Sequence, residues 1–186
     1  MQRIAIRVFM NYEKEEDWLN SMASKGLALT DFFFCRYTFT DCKPGEYIYR
    51  IELLDNLPSQ AESWAYINFM AENGVDHVAS YIRWVYFRRK AADGPFDIYS
   101  DIDSRISHYK RILALWLPIM LMDFFIGITN IDRELGRLSA GNNYGTGYIG
   151  IVAGIILLFL GALIVINWNA VRIKIKRLKQ EKQLRE

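Results

Sequence analysis

Residues 148–168 read YIGIVAGIILLFLGALIVINW, a run of 21 residues without one charged side chain. A hydrocarbon core about 30 Å thick is crossed by about 20 helical residues that rise about 1.5 Å each, so this run is long enough to span a bilayer. A second apolar run, ILALWLPIMLMDFFIGIT, occupies residues 112–129. The loop between them, residues 130–147, is too short to hold a domain. The two runs therefore predict a transmembrane hairpin.

The distribution of Lys and Arg predicts the orientation of this hairpin. Ten basic residues flank the runs on the side of the chain termini, within residues 105–111 and 172–185, whereas the loop carries only Arg133 and Arg137. Loops rich in Lys and Arg stay in the cytoplasm. We therefore expect a two-span protein of the cell membrane with both termini in the cytoplasm and with the loop outside. Residues 1–25 lack the pattern of a signal peptide.

The second run is followed by a basic tail, residues 169–186. A tail of this kind is ordinarily a stop-transfer and orientation signal. Cations beside a membrane also bind anionic lipid, at about 1 kcal/mol for each cation. The tail residues expected to contact lipid headgroups are Arg172, Lys174, Lys176, Arg177 and Lys179.

Asp123 lies near the middle of the first run, where a carboxylate costs about 2.5 to 3.5 kcal/mol on insertion scales. Small residues recur along the second run, and such residues let transmembrane helices approach closely. The pattern favours close helix packing, either within the hairpin alone or against an oligomer or another membrane protein. The residues expected to pack in this way are Asp123, Gly127, Asn130, Gly147, Gly150, Gly154 and Gly161.

Residues 1–90 are expected to form one cytoplasmic domain, and residues 91–111 a linker and a membrane-proximal helix. Residues 11–26 carry acidic side chains in their early turns and a glycine at their end, and this pattern predicts a helix that ends at Gly26. Ser59 and Glu62 match the capping box of a second helix. Runs of aromatic and β-branched residues predict four strands, over residues 3–9, 29–40, 46–54 and 77–90.

The resulting order, β-α-β-β-α-β, predicts a ferredoxin-like α+β fold, in which two helices cover one face of a four-stranded antiparallel sheet. Pro44-Gly45 is expected to close a hairpin between the middle strands, and no internal repeat is evident. Side-chain alternation places Ile4, Ile6 and Val8 beneath the helices. The open face then receives the candidate residues for binding a ligand or a partner, which are Arg3, Arg7, Arg36, Arg50, Trp84 and Tyr86.

The open face fits a small anion or a protein, because arginine forks match phosphate oxygens and aromatic rings stack on flat ligands. An ordinary solvated sheet face is the alternative. Residues 1–111 contain 14 basic and 16 acidic residues, and this balance argues against direct nucleic-acid binding. Cys35, Cys42, His77 and His108 match no zinc or catalytic pattern, so no metal, cofactor or catalytic residue is predicted.

Four long strings in the chain resemble one known family. They are EKEEDWLNSMASKG at residues 13–26, CRYTFTDCKPGEYIYRIELLDNLP at 35–58, RWVYFRRKAADGPFDIYSDIDSRI at 83–106 and HYKRI at 108–112. They are similar to the bacterial membrane-protein family called domain of unknown function 2812. The resemblance implies a membrane protein of the kind common in Firmicutes and often encoded beside PadR-type regulators. It implies no catalytic residue.

These patterns together predict a non-enzymatic, membrane-tethered regulatory or sensory module that binds a cytoplasmic protein or a small anionic ligand. The alternative is an accessory subunit of a membrane transporter that packs through the hairpin. The expected partners are the lipid bilayer and a protein, which is either a soluble regulator or a membrane subunit. A homo-oligomer is a further alternative.

Overall fold

The computed structural model describes residues 2–99, 101–141 and 147–185. Within these ranges the chain has a mixed α+β architecture, with two three-stranded sheets and four α-helices. It divides into two compact units, Met1–Ser104 and Arg105–Glu186. We call the first unit the head. The predicted α+β class is confirmed.

The head contains six strands and two helices. The first half is built from β1 (Arg3–Ile6), α1 (Tyr12–Ser24), β2 (Leu27–Phe33) and β3 (Arg36–Asp41). The second half is built from β4 (Tyr47–Leu53), α2 (Ala61–Glu72), β5 (Asp76–Tyr81) and β6 (Trp84–Lys90), followed by a short 3-10 turn, Ala91–Asp93.

The two halves are repeats of one β-α-β-β unit. The strand orders are β1-β3-β2 in the first sheet and β4-β6-β5 in the second, with antiparallel pairing throughout. The second strand of each repeat carries a register shift at the same place, between Leu29 and Asp31 and, 48 residues later, between His77 and Ala79. The first strand of each repeat is followed by an equivalent backbone hydrogen bond of 2.9 Å, from Arg7 N–H to the Cys35 carbonyl after β1 and from Leu54 N–H to the Arg83 carbonyl after β4. The structure therefore shows a repeat that is not evident in the sequence.

Two of the four predicted strands are hairpins in the structure. The run over residues 29–40 turns at Phe34 and Cys35, with φ of 36° and 66°, and the run over residues 77–90 turns at Ile82, with φ of 57°. Turns of this kind usually show Asn or Gly, so these sequences give no turn signal. The hairpin expected across Pro44-Gly45 is also absent, because β3 pairs with β1 and β2 whereas β4 pairs with β6. The ferredoxin-like arrangement is not confirmed.

The second sheet is buried on both faces. One face packs with α1, in a core that includes Leu19, Ile51 and Tyr86. The other face packs with α2, in a core that includes Ile67 and Phe87. Strands β4 and β6 therefore carry apolar side chains on both faces.

The chain after the head forms two long helices, α3 (Ile102–Ser139) and α4 (Gly147–Arg185). Both are long and apolar enough to cross a membrane. Helix α3 continues through Pro118 and through most of the expected loop, and residues 142–146 of that loop lie outside the described residues. At about 1.5 Å per residue, each helix is nearly twice as long as a hydrocarbon core is thick.

Candidate interaction site of the head

Helix α1 binds the free edge of β4 through two polar side chains. The amide of Asn20 accepts a hydrogen bond from the backbone N–H of Tyr49 at 2.8 Å and donates one to its carbonyl oxygen at 3.1 Å. The carboxylate of Glu16 accepts the N–H of Ile51 at 2.9 Å. These bonds occupy positions that a neighbouring strand would otherwise take. Helix α1 thus covers the second sheet and also completes its edge.

The Glu16 carboxylate is held by a cation as well as by the strand. Arg50 Nη1 lies 3.1 Å from Glu16 Oε1, and the carboxylate is mostly buried. Burial raises the pKa of Glu16 to about 7, while the Ile51 N–H and the Arg50 charge act in the opposite direction. Acidic residues early in a helix ordinarily compensate its dipole, which is why the sequence did not single out Glu16.

Glu15, the preceding residue, is buried between the two repeats. Its Oε1 accepts hydrogen bonds from the hydroxyls of Tyr37, at 2.7 Å, and Tyr86, at 2.6 Å. Burial raises the pKa of Glu15, and the two tyrosine bonds lower it. Tyr37 belongs to the first repeat and Tyr86 to the second, so one carboxylate joins them. The ring of Trp18 packs edge-on against Tyr37, with centroids 4.7 Å apart.

The first sheet has one face covered by α1 and one face that the head leaves uncovered. Residues directly opposite each other in the pairing share a face, which places Ile4, Thr38 and Asp31 in one row and Ile6, Arg36 and Phe33 in the next. Ile4, Ile6 and Phe33 are 64, 77 and 62 % exposed. We call these six residues the uncovered face. The expectation that Ile4, Ile6 and Val8 lie beneath the helices is wrong, because all three are exposed and Ala5 takes that side.

The equivalent face of the second sheet is covered. Its rows are Ile51, Tyr86 and Ala79, then Leu53, Trp84 and Tyr81. Ile51 is 2 % exposed and Leu53 is fully buried. Ile51, Tyr86 and Ala79 share a core with α1, and the rings of Trp84 and Tyr12 lie 5.8 Å apart. The same surface of the repeated unit is thus buried under a helix in one copy and open in the other.

The structure disperses the six residues predicted for the open face. Trp84 and Tyr86 lie in the core with α1. Each arginine of the set faces a carboxylate or a ring: the partners are Asp41 for Arg3 at 3.2 Å, the Trp18 ring for Arg7 at 5.2 Å, Asp31 for Arg36 at 3.7 Å and Glu16 for Arg50.

The residues predicted to pack the hairpin include several that meet between α3 and α4. A Cβ atom added at Gly154 would lie 2.7 Å from the carbonyl oxygen of Gly127, and one at Gly161 would lie 3.6 Å from Cβ of Asp123. A Cβ at Gly150 would collide with the side chain of Glu134. Gly147 is the first residue of α4, and Asn130 accepts a hydrogen bond from Arg133 at 2.9 Å.

Glu134 is a buried residue that the sequence did not single out. It is paired with Arg137 at 2.9 Å, one turn further along α3. The i, i+3 spacing of these opposite charges is the signal that could have found it. It lies beyond the first apolar run, in the segment that was expected to be a loop.

The predicted lipid-contact residues lie on the second half of α4. Arg172 lies over the ring of Trp168, with 4.6 Å from Cζ to the ring centroid, and Lys174 lies 5.9 Å from the ring of Tyr109. The other three, Lys176, Arg177 and Lys179, are exposed. Across the described ranges, no group of three or more His, Cys, Asp or Glu side chains is arranged to hold a metal ion.

Comparison with known proteins gives one match. Residues 11–121 match the model of a family described as Protein of unknown function (DUF2812). The matched region includes most of the head and continues into α3. No curated protein and no solved structure matches the chain.

Proposed function

The chain belongs to the DUF2812 family, and from the geometry of its head we propose that it is a non-enzymatic, membrane-anchored module that binds another protein. Helices α3 and α4 form the anchor, in agreement with their length and composition. The head supplies the binding surface, which is the uncovered face of the first sheet. A regulatory or sensory role would follow from a partner that this face holds at the membrane.

The difference between the two repeats carries this proposal. Burying a large apolar side chain contributes about 1.5 to 3 kcal/mol. The second repeat obtains this contribution within the head, because α1 covers Ile51 and Leu53. The first repeat leaves Ile4, Ile6 and Phe33 in water. Their burial against a partner would offset the loss of rigid-body freedom and the ordering of side chains that association costs.

The charges of the uncovered face favour a protein over a small anion. Arg36 is paired with Asp31 on this face. A small anion would have to displace the carboxylate from the arginine, whereas a protein surface can bury the apolar side chains and leave this pair at the rim. A mixed apolar and paired-charge surface is typical of protein interfaces.

Photo-crosslinking tests the proposal in native membranes. A benzophenone amino acid placed at Thr38, in the centre of the uncovered face, should give an adduct with a second polypeptide. The same amino acid at the exposed Ser24, at the end of α1, is the control and should give none. Absence of a polypeptide adduct at Thr38, or equal adducts at both positions, would refute the proposal. The adduct also separates a soluble partner from an integral subunit of a transporter, the alternative that the hairpin suggests.

A further inference from the structure

A cavity of about 560 Å³ lies open beside α2. One wall is formed by Trp64, Ile67, Asn68 and Ala71 of α2, and the remaining lining residues are Pro58, Asp76, His77 and Arg88. Trp64 is 62 % exposed. Within the described ranges, the amide of Asn68 makes no hydrogen bond to another residue. The α2 wall of the cavity therefore combines apolar side chains with one amide that has donor and acceptor capacity to spare, and the charged and polar side chains Asp76, His77 and Arg88 line the rest.

The α2 wall of the cavity occupies the position in the second repeat that the β4-binding surface of α1 occupies in the first. Gly26 and Gly74, both with positive φ, follow α1 and α2 at a separation of 48 residues, the same separation as the register shifts of β2 and β5. At this separation Asn68 corresponds to Asn20 and Trp64 corresponds to Glu16. Asn20 and Glu16 are the two side chains that bind the backbone of β4. Among the described residues of the head, the amide of Asn68 binds no strand backbone.

The strand that corresponds to β4 is β1, and its outer edge is open. Among the described residues β1 pairs only with β3. Because Arg7 N–H bonds to Cys35 on the β3 side, the alternate residues Ile4 and Ile6 direct their backbone groups away from β3. Leu54 makes the corresponding bond in the second repeat, where Ile51 and Tyr49 direct theirs to α1. Strand β1 thus offers the backbone pattern that Asn20 and Glu16 recognise on β4.

We propose that the partner is a second copy of this chain, bound head to tail, with α2 of one copy holding β1 and the uncovered face of the next. This inference rests on the proposed function and names the partner of the same face. Within one head, α1 covers the second sheet but α2 does not cover the first. The two repeats of one head are therefore not related by a two-fold axis, which would require each helix to cover the sheet of the other repeat. Repetition of the same contact between copies is heterologous, so it joins more than two chains in a ring or in an open row.

The exposed side chains on the two surfaces are complementary. Where α1 pairs Glu16 with Arg50, α2 has Trp64 and β1 has Arg3, so an ion pair within the head corresponds to a cation over an aromatic ring between copies. Asn68 would bind the backbone of Gln2 as Asn20 binds that of Tyr49. The apolar side chains of Ile4 and Ile6 would pack against the wall of the cavity that α2 forms.

Cysteine crosslinking of the full chain tests the arrangement. The background carries Cys35→Ser and Cys42→Ser, and the protein is reconstituted in vesicles of phosphatidylcholine and phosphatidylglycerol. A chain with both Gln2→Cys and Asn68→Cys should give a ladder of dimers, trimers and larger species on mild oxidation. A mixture of the two single variants should stop at the dimer, because each pair then has one reactive contact. Each single variant alone should stay monomeric.

A surface change separates specific docking from crowding in the vesicle. In the double-cysteine chain, Ile6→Lys should remove at least nine-tenths of the ladder because it places a charge in the interface. Phe69→Ser, an exposed change on α2 that does not line the cavity, should preserve the ladder. Circular dichroism of both variants controls for folding.

The possible results distinguish this inference from the function on which it rests. A ladder no stronger than that of a Gln2→Cys and Phe69→Cys chain would overturn the self-association. Efficient dimers from Gln2→Cys alone would overturn the head-to-tail arrangement and indicate a symmetric contact. If Thr38 then crosslinks to a different polypeptide, the uncovered face still binds a protein and only the partner named here is wrong. If Thr38 crosslinks to no polypeptide, both proposals fail.

Discussion

Replacement of Tyr86 by Phe should destabilise the head by about 1.5 to 3 kcal/mol in mildly alkaline solution, the range measured for hydrogen bonds to charged groups. The substitution removes the hydroxyl that donates to Glu15 Oε1 at 2.6 Å and keeps the ring in the core. Tyr37 still donates to the same oxygen at 2.7 Å. The loss is therefore that of one bond to a buried carboxylate, without a large cavity.

The size of this effect should depend on pH, and its sign follows from the pKa of Glu15. Burial raises this pKa, so the contribution of Glu15 to stability is present in acid and is lost as the pH rises through its folded value. The Tyr86 bond lowers the pKa, so Tyr86→Phe raises it further and increases the loss at high pH. The difference between wild type and variant should be smallest near pH 4.5 and largest near pH 8.5.

Urea unfolding of a fragment containing residues 1–104, followed by tryptophan fluorescence, measures this difference. Trp18 reports on the site because its ring lies against that of Tyr37. Tyr81→Phe is the matched control, since the Tyr81 ring packs against Phe32 and its hydroxyl makes no hydrogen bond to another described residue. An equal loss for Tyr86→Phe at pH 4.5 and pH 8.5 would refute the assigned role of Glu15.

Two further predictions concern the borders of the head and the orientation of the hairpin. A fragment ending at residue 93 should be less stable than one ending at residue 104 by at least about 3 to 5 kcal/mol, the usual loss for a buried Phe, because it lacks Phe96; equal urea midpoints would contradict this. In intact cells, a cysteine at Ser139 should react with an impermeant thiol reagent while one at Ser59 should not, and the reverse labelling would overturn the expected topology.

Local signals in the sequence predicted α1 well. Its helix is capped by Asn11, whose side chain accepts the N–H of Glu13 at 2.9 Å, and Gly26 follows its end in a positive-φ conformation. The predicted capping box of α2 is wrong: the helix is capped at Gln60 without a side-chain bond, and Glu62 instead accepts a hydrogen bond from Asn56. A capping box is recognised from residue spacing alone, so it does not reveal that Asn56 in the preceding loop competes for the Glu62 carboxylate.

The strand errors have a different physical cause. A strand buried on one face shows alternation, but β4 and β6 are covered on both faces and carry apolar side chains on each, such as Ile48 and Ile51 in β4. Alternation therefore could not show which face of the second sheet meets which helix. In β1, the apolar residues alternate correctly but lie on the face that the head leaves uncovered. The pattern identified two faces and could not say which one packs inside the chain.

The different surroundings of the two repeats also explain why the repeat is not evident in the sequence. The backbone features that recur are turns, register shifts and strand orders, which tolerate many side chains. The side chains at equivalent positions differ where their surroundings differ: Glu16 faces a buried edge and an arginine, whereas Trp64 faces an open cavity. Asn20 binds the backbone of β4, and Asn68 is the same residue at the equivalent position of α2. Glu16 and Trp64 thus differ at one position, whereas Asn20 and Asn68 agree at the other. We expect this pattern if α1 binds a strand of its own head and α2 binds a strand of a neighbouring copy.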